Sequence, residues 1–184
     1  PTAPAIGFFL DNWQAKTFTA PSFTEVPAVT APATNIVTVD ASSVITKISS
    51  TIFGHNANTW MTPMVTEPLF LNHVTQLQPH IIRWPAGSGS DVYFWNQPQG
   101  VLPADAPRQI MDKEGVLKDP GYWFGKINTN WSASLDQYYS VLQQTGSRGI
   151  ITVNYGYARY GTSNDPVAAA AHLAADWVRY DNGR

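Results

Sequence analysis

Hydrophobic and polar positions follow two different periods along this chain. From Ile36 the run NIVTVD alternates β-branched and polar residues, the period-two pattern of a strand, and SSVITKISS reads as a second strand. TIFGHNANTW, residues 51–60, opens as a short strand and then turns polar. In EPLFLNHVTQLQP, residues 67–79, Leu69, Phe70, Val74 and Leu77 approach helical spacing. Pro68 suits a first helical turn there, and Pro79 a position past the end. HIIRW is a short strand of the buried kind. Residues 97–131 scatter Gly, Pro and Asp and predict an elaborated loop, of a length that is usually functional or mobile. SASLDQYYSVLQQTG, residues 132–146, predicts a helix with Leu135, Tyr138, Tyr139 and Leu142 on one face and Gly146 as its stop. RGIITVNYGYARYG predicts another buried strand. NDPVAAAAHLAADWVRYDNGR predicts a helix with Asp165 as N-cap, Pro166 as its first residue and Gly183 as its stop. Its inner stripe would be Val167, Ala170, Ala171, Ala174, Trp177 and Val178.

From Ile52 the predicted order is therefore strand, helix, strand, loop, helix, strand, helix. Such alternation predicts parallel βαβ units, whose strands are short and apolar because both faces are covered. The expected fold class is α/β: the N-terminal portion, about three βα units, of a (β/α)8 TIM barrel. Three segments are expected. Residues 1–35 form an extended arm rich in Pro, Thr and Ala, whose five prolines exclude a central strand or helix and whose aromatics predict that it lies along a folded surface. Residues 36–50 form a β-strand segment, a candidate to join an accessory β-sandwich. Residues 51–184 hold the first βα units. A closed barrel needs roughly 250 residues, so a further polypeptide completing the barrel is expected beyond Arg184.

Composition narrows the function. The chain has 184 residues, 11 basic and 13 acidic side chains and a net charge of −2. That balance offers no basis for neutralising phosphates, so nucleic acid is not an expected partner. Charged residues make up 13% of the chain and aromatics 12%, where about a quarter charged is usual. A surface so poor in charge suits an exported protein that handles neutral polar ligands. There is no cysteine, which removes disulfides, thiol nucleophiles and thiolate metal sites. No apolar run approaches the roughly 18 residues of a membrane span, so membrane insertion is not expected.

Each strand end turns polar and aromatic, and in an α/β barrel that end is the active-site face. The stretch IIRWPAGSGSDVYFWN, residues 81–96, places Arg83 at a strand end before a glycine-bearing loop. A buried guanidinium needs an anion or several acceptors. Trp84 and Trp95 offer flat apolar faces of the kind on which sugar rings stack. Asn56, Asn58, Asp91, Asn96 and Asn154 offer groups that bond hydroxyls, and Trp60 and Tyr157 add rings at the neighbouring strand ends. The plainer alternatives are a core tryptophan, a structural ion pair from Arg83, and loop packing of Tyr157 and Tyr160. His55, His73, His80 and His172 have no metal-ligand spacing, so no metal is expected. Glycoside hydrolysis usually needs two carboxylates. The three glutamates, Glu25, Glu67 and Glu114, end no predicted strand, and Asp91 stands alone.

ITKISSTIFGHNANTW, IIRWPAGSGSDVYFWN and GIITVNYGYARYGTSNDPVAAAAHLAADWVRYDNG together resemble the opening of clan-A glycoside hydrolases, nearest to α-L-arabinofuranosidase-like catalytic domains of secreted bacterial proteins. The resemblance covers about residues 36–184. It aligns Ile52-Phe53-Gly54 with the family's first strand and Arg83-Trp84-Pro85-Ala86-Gly87 with its Arg-x-Pro-Gly-Gly motif. It implies a retaining hydrolase, secreted or at the bacterial cell surface, acting on a polysaccharide or oligosaccharide and needing no cofactor. In it Arg83 supports a nucleophile glutamate, and both catalytic glutamates lie outside this chain. Asn56, Asn58, Trp60, Trp84, Asp91, Trp95, Asn96, Asn154 and Tyr157 become substrate-binding candidates, and the chain alone is expected to be inactive. The alternative is a non-catalytic carbohydrate-binding or surface-assembly protein on a degenerate barrel.

Overall fold

The structure is a computed structural model that describes residues 19, 22–27, 31, 34–40, 42 and 49–184. The chain divides into two compact units, Pro1–Ile45 and Thr46–Arg184. In the first, residues 22–27 and 36–40 adopt no regular element, and Phe23, Val26, Ile36, Val37 and Val39 are exposed. The strand expected in NIVTVD is not formed. Alternation makes a strand only with a neighbour to pair and a core to cover one side, and these apolar side chains have no cover. Asp40 instead accepts from the Ser42 amide at 2.9 Å. Most of the expected arm, and most of the second expected strand in 42–50, lie outside the described residues.

The second unit runs β1 (Gly54–Asn56), α1 (Pro68–Leu77), β2 (Ile81–Trp84), β3 (Tyr93–Pro98), β4 (Ile110–Met111), β5 (Leu117–Lys118) and β6 (Trp123–Lys126). It continues with α2 (Leu135–Thr145), β7 (Arg148–Ile151), α3 (Tyr157–Tyr160) and α4 (Pro166–Asn182). Strands β1, β2 and β7 form one parallel sheet in that order, with α1 linking the first pair. The 97–131 segment, expected to be an elaborated loop, holds strands. It carries a β4–β5 hairpin and returns as β6 to pair in parallel with β3. Gly125 permits that pairing, because a Cβ there would stand 1.9 Å from the Trp95 carbonyl oxygen.

The helices start and stop for the local reasons the residues give. Ser134 and Gln137 form a reciprocal capping box on α2, and Gly146 ends it at φ +66°. Asp165 accepts from the Ala168 amide at 2.9 Å, with Pro166 first in α4. The buried stripes differ from the expected ones. Leu71, with Phe70 and Val74 half-buried, faces inward on α1, while Leu69 and Leu77 are exposed. On α2 the buried positions are Leu135, Tyr138 and Val141. On α4 Ala170 and Trp177 are buried, while Val167 and Val178 are exposed. A stripe drawn by counting apolar residues drifts by one position when only some of them meet the sheet.

One face of the parallel sheet is closed. Ile82 and Trp84 are 3% and 0% exposed. Tyr138 of α2 stacks on Trp84 at 4.9 Å, and its hydroxyl donates to the Ile82 carbonyl at 2.8 Å. Gly149 of β7 makes room for it, since a Cβ there would lie 2.7 Å from the Tyr138 oxygen. An aromatic wall continues outward from Trp84 through Tyr93 to Trp177 and Trp95. A second buried cluster holds Phe94, Ala106, Phe124, Tyr157 and Ala170.

Candidate functional site

Registered neighbours in a parallel sheet share a face, and successive residues alternate faces. Asn56 pairs with Arg83, and Arg83 with Ile150, so these three project together from the side opposite Trp84. Among the described residues of this unit no helix covers that side. Ile150 is 47% exposed, and a cleft of about 230 Å³ opens there, lined by Ile52, Gly54, His55, Asn56, Ile81, Arg83 and Ile150. None of these described lining residues is a carboxylate.

Arg83 is the odd group in this cleft. Its side chain is half-buried, its Nε is sealed from solvent without a hydrogen-bond partner, and no ion pair of the described residues includes it. A guanidinium so placed lacks the acceptors that offset its desolvation. It can bind an anion or a row of hydroxyl oxygens. Asn56, beside it and exposed, adds an amide that both donates and accepts. The structural ion pair weighed for Arg83 is absent among the described residues.

The loop that leaves β1 carries two more candidates over the C-terminal end of β2, held there by Ala57 and Thr59 amides donating to the Arg83 and Pro85 carbonyls at 2.8 and 3.1 Å. Asn58 is half-buried, and Trp60 is 46% exposed. The Trp84–Pro85 peptide bond, which opens the next loop, is cis.

Four expected binding residues are core residues instead. Trp84 is fully buried on the helix-covered face, and its indole donates to the Tyr93 hydroxyl at 3.1 Å. Trp95 stacks on Trp177 at 5.6 Å and donates to the Leu173 carbonyl. Asn154 is 5% exposed and fully engaged. Its amide donates to the Tyr93 carbonyl and the Tyr160 hydroxyl, and its oxygen accepts from the Tyr157 amide at 2.9 Å. Tyr157 is buried, with its hydroxyl donating to Asp105. Their residue types fit a sugar, but each is buried and bonds its polar tip within the chain. Buried aromatics with polar tips satisfy those tips internally, and the sequence does not distinguish that use from a ligand's.

The remaining two are intermediate. Asp91 accepts from the Gly156 amide at 3.1 Å, tying the loop before β3 to the loop after β7. Asn96, on β3, keeps a buried side-chain oxygen with no partner. Burial, the largest cause, raises the hydroxyl pKa of Tyr93, Tyr138, Tyr139, Tyr157 and Tyr160, and pushes that of Tyr122 up to about 12. None of these phenols is a base near neutral pH.

Residues of the 97–131 segment were missed as site candidates. Trp123 on β6 lies between Trp60 and Trp131, with ring centroids 5.5 Å from each. The signal was available in the tryptophans of WFGKINTNW, but a segment read as loop gave them no place in space. Among the described residues no cluster of three or more metal-binding side chains occurs, and no helix is long and apolar enough to cross a membrane. No protein-family model matches the chain, and no curated protein matches it.

Proposed function

We propose that this chain is the N-terminal part of a retaining glycoside hydrolase built on a (β/α)8 barrel, acting on a neutral polysaccharide or oligosaccharide. One observation carries the reading. A half-buried guanidinium without a partner stands beside Asn56 on the bare side of a parallel sheet. Parallel sheets are covered on both faces, so further strands closing over Ile81 and Ile150 would turn this cleft into a barrel interior. Arg83 then sits where a carboxylate from a later strand can reach it. A cation there keeps that carboxylate ionised and oriented.

In the retaining reaction that carboxylate attacks the anomeric carbon as a second carboxylic acid gives its proton to the leaving oxygen. Water, deprotonated by the same second group, then releases the sugar from the first. Both carboxylates come from outside this chain. Arg83 holds the nucleophile, and Asn56 bonds a sugar hydroxyl. No cofactor enters.

The test is turnover of neutral polysaccharides by the completed barrel, residues 1–184 together with the strands that close it, with and without Arg83→Gln. Loss of one preorganised charge contact is expected to lower kcat by about a hundredfold or more, with residues 1–184 alone inactive. Full activity in the Arg83→Gln protein sinks the assignment of Arg83, and turnover by residues 1–184 alone sinks the divided catalytic site. Sugar binding without any hydrolysis replaces the enzyme with a carbohydrate-binding protein.

A further inference from the structure

The six described tryptophans divide by the fate of their indole N–H. Trp84, Trp95 and Trp177 are 0%, 7% and 2% exposed, and each donates to an acceptor within the chain. Trp60, Trp123 and Trp131 donate to none among the described residues. Trp60 and Trp131 are 46% and 54% exposed, and Trp123 is half-buried with its inner edge on the core. A buried indole normally finds a partner for its N–H. Trp60 and Trp131 are open to solvent, so the three rings together form a surface whose N–H donors no described residue occupies.

The three rings make one continuous surface. Trp60 meets Trp123 at an interplanar angle of 50°, and Trp123 meets Trp131 at 65°. Backbone contacts hold the outer two in place. The Thr62 amide donates to the Trp131 carbonyl at 3.2 Å, and the Ala133 amide to the Thr59 carbonyl at 2.7 Å, so the loop after β1 is pinned to the segment before α2. Gly89 lies under Trp60, where an added Cβ would stand 3.2 Å from the ring. The backbone that carries the outer two rings is therefore tied in place, which reduces the ordering cost of binding.

The chemistry of the ligand follows from what the surface offers and lacks. It offers flat apolar faces and N–H donors at their rims. No cation is stacked on these rings among the described residues: the cation–π contacts lie elsewhere, with Arg184 over Tyr139 and Tyr180. Single-stranded nucleic acid stacks on such rings only beside cations that track its phosphates. A pyranose presents an apolar C–H face and a rim of hydroxyl oxygens, the complement of both features. The Thr59 amide bonded to the Pro85 carbonyl sets the platform at the C-terminal end of β2, the end of parallel strands at which ligands bind.

We propose that Trp60, Trp123 and Trp131 form a stacking platform for a neutral pyranose polysaccharide. The platform uses residues other than Arg83 and Asn56 and does not depend on hydrolysis. The experiment titrates the chain with cellohexaose, xylohexaose and the charged control oligogalacturonate, reading tryptophan emission and acrylamide quenching. A neutral hexasaccharide is expected to shift the emission to the blue and shield the indoles from acrylamide. Trp131→Ala and Trp60→Ala are expected to weaken binding about tenfold or more, the scale of removing one stacking ring from a single-strand groove, while Trp131→Phe keeps part of it. Circular dichroism checks that each variant folds. The platform is overturned if neither neutral hexasaccharide changes the emission, if Trp131→Ala binds as tightly as the parent, or if acrylamide cannot reach the rings because protein covers them. Turnover is read separately: binding without hydrolysis overturns the enzyme reading and keeps this one, and hydrolysis untouched by both alanine variants with no binding on the rings does the reverse.

Discussion

The two faces of the β1–β2–β7 sheet are made by neighbouring residues of the same strands, yet they are opposite in condition. On one, Ile82 and Trp84 lie under α2, with every indole and phenol tip around them bonded. On the other, Ile150 is half exposed and the Arg83 Nε has no partner. The covered face has spent its chemistry on stability. The other face keeps a cation with no partner among the described residues, an exposed amide and apolar surface. One residue along a strand decides which condition a side chain meets.

The comparison breaks most sharply at Trp84. It is fully buried, stacked on Tyr138 and edge-on to Tyr93. Trp84→Ala removes that stack and leaves a cavity, which is expected to cost about 3–5 kcal/mol. Chemical denaturation followed by far-UV circular dichroism reads the loss. If Trp84 were instead a ligand-facing ring, the change would cost little stability and the two faces would not differ as described.

The covered face also sets a response to alkali. Tyr93 and Tyr138 have hydroxyl pKa values raised chiefly by burial. A raised folded pKa means that the native state holds its phenolic protons where the unfolded chain, titrating near the ordinary value of about 10, gives them up. Their stabilising effect is whole below pH of about 10 and falls as pH rises toward the folded values. The tyrosinate absorbance of these buried residues at 295 nm is therefore expected to appear together with loss of near-UV circular dichroism, above pH of about 10. Separate, earlier ionisation of most tyrosines would show that the wall is open to water.

These contrasts explain which parts were legible in the sequence. Helix ends were readable because Ser134, Gly146, Asp165 and Pro166 act through their own backbone neighbours. The parallel strands were readable because short apolar runs need cover on both sides. The bare-face pair Asn56 and Arg83 was legible as a polar strand end. The misassigned rings were not, because Trp84 and Trp60 carry the same side chain and differ only in what packs against them. Asn154 and Tyr157 mislead for the same reason, since an amide and a phenol serve a core hub as well as a ligand. NIVTVD shows the converse failure: a strand pattern without a partner strand stays irregular.

Arg83 gives the finest test of the comparison, because its change should act in the opposite direction to that of Trp84. Leaving a buried donor unsatisfied costs about 1–3 kcal/mol, and nothing among the described residues offsets that for the Arg83 Nε. Arg83→Met keeps the aliphatic stem against Ile81 and Ile150 and removes the cation. The chain is therefore expected to become more stable, by about 1 kcal/mol, in urea denaturation at neutral pH. Under the proposed function, the same change in the completed barrel is expected to abolish most turnover, a trade of function for stability. A loss of more than about 1 kcal/mol on Arg83→Met would mean that the guanidinium has a partner inside this chain. In that case the bare face would hold a structural ion pair, and the distinction between a finished face and a waiting one would fail at its central residue.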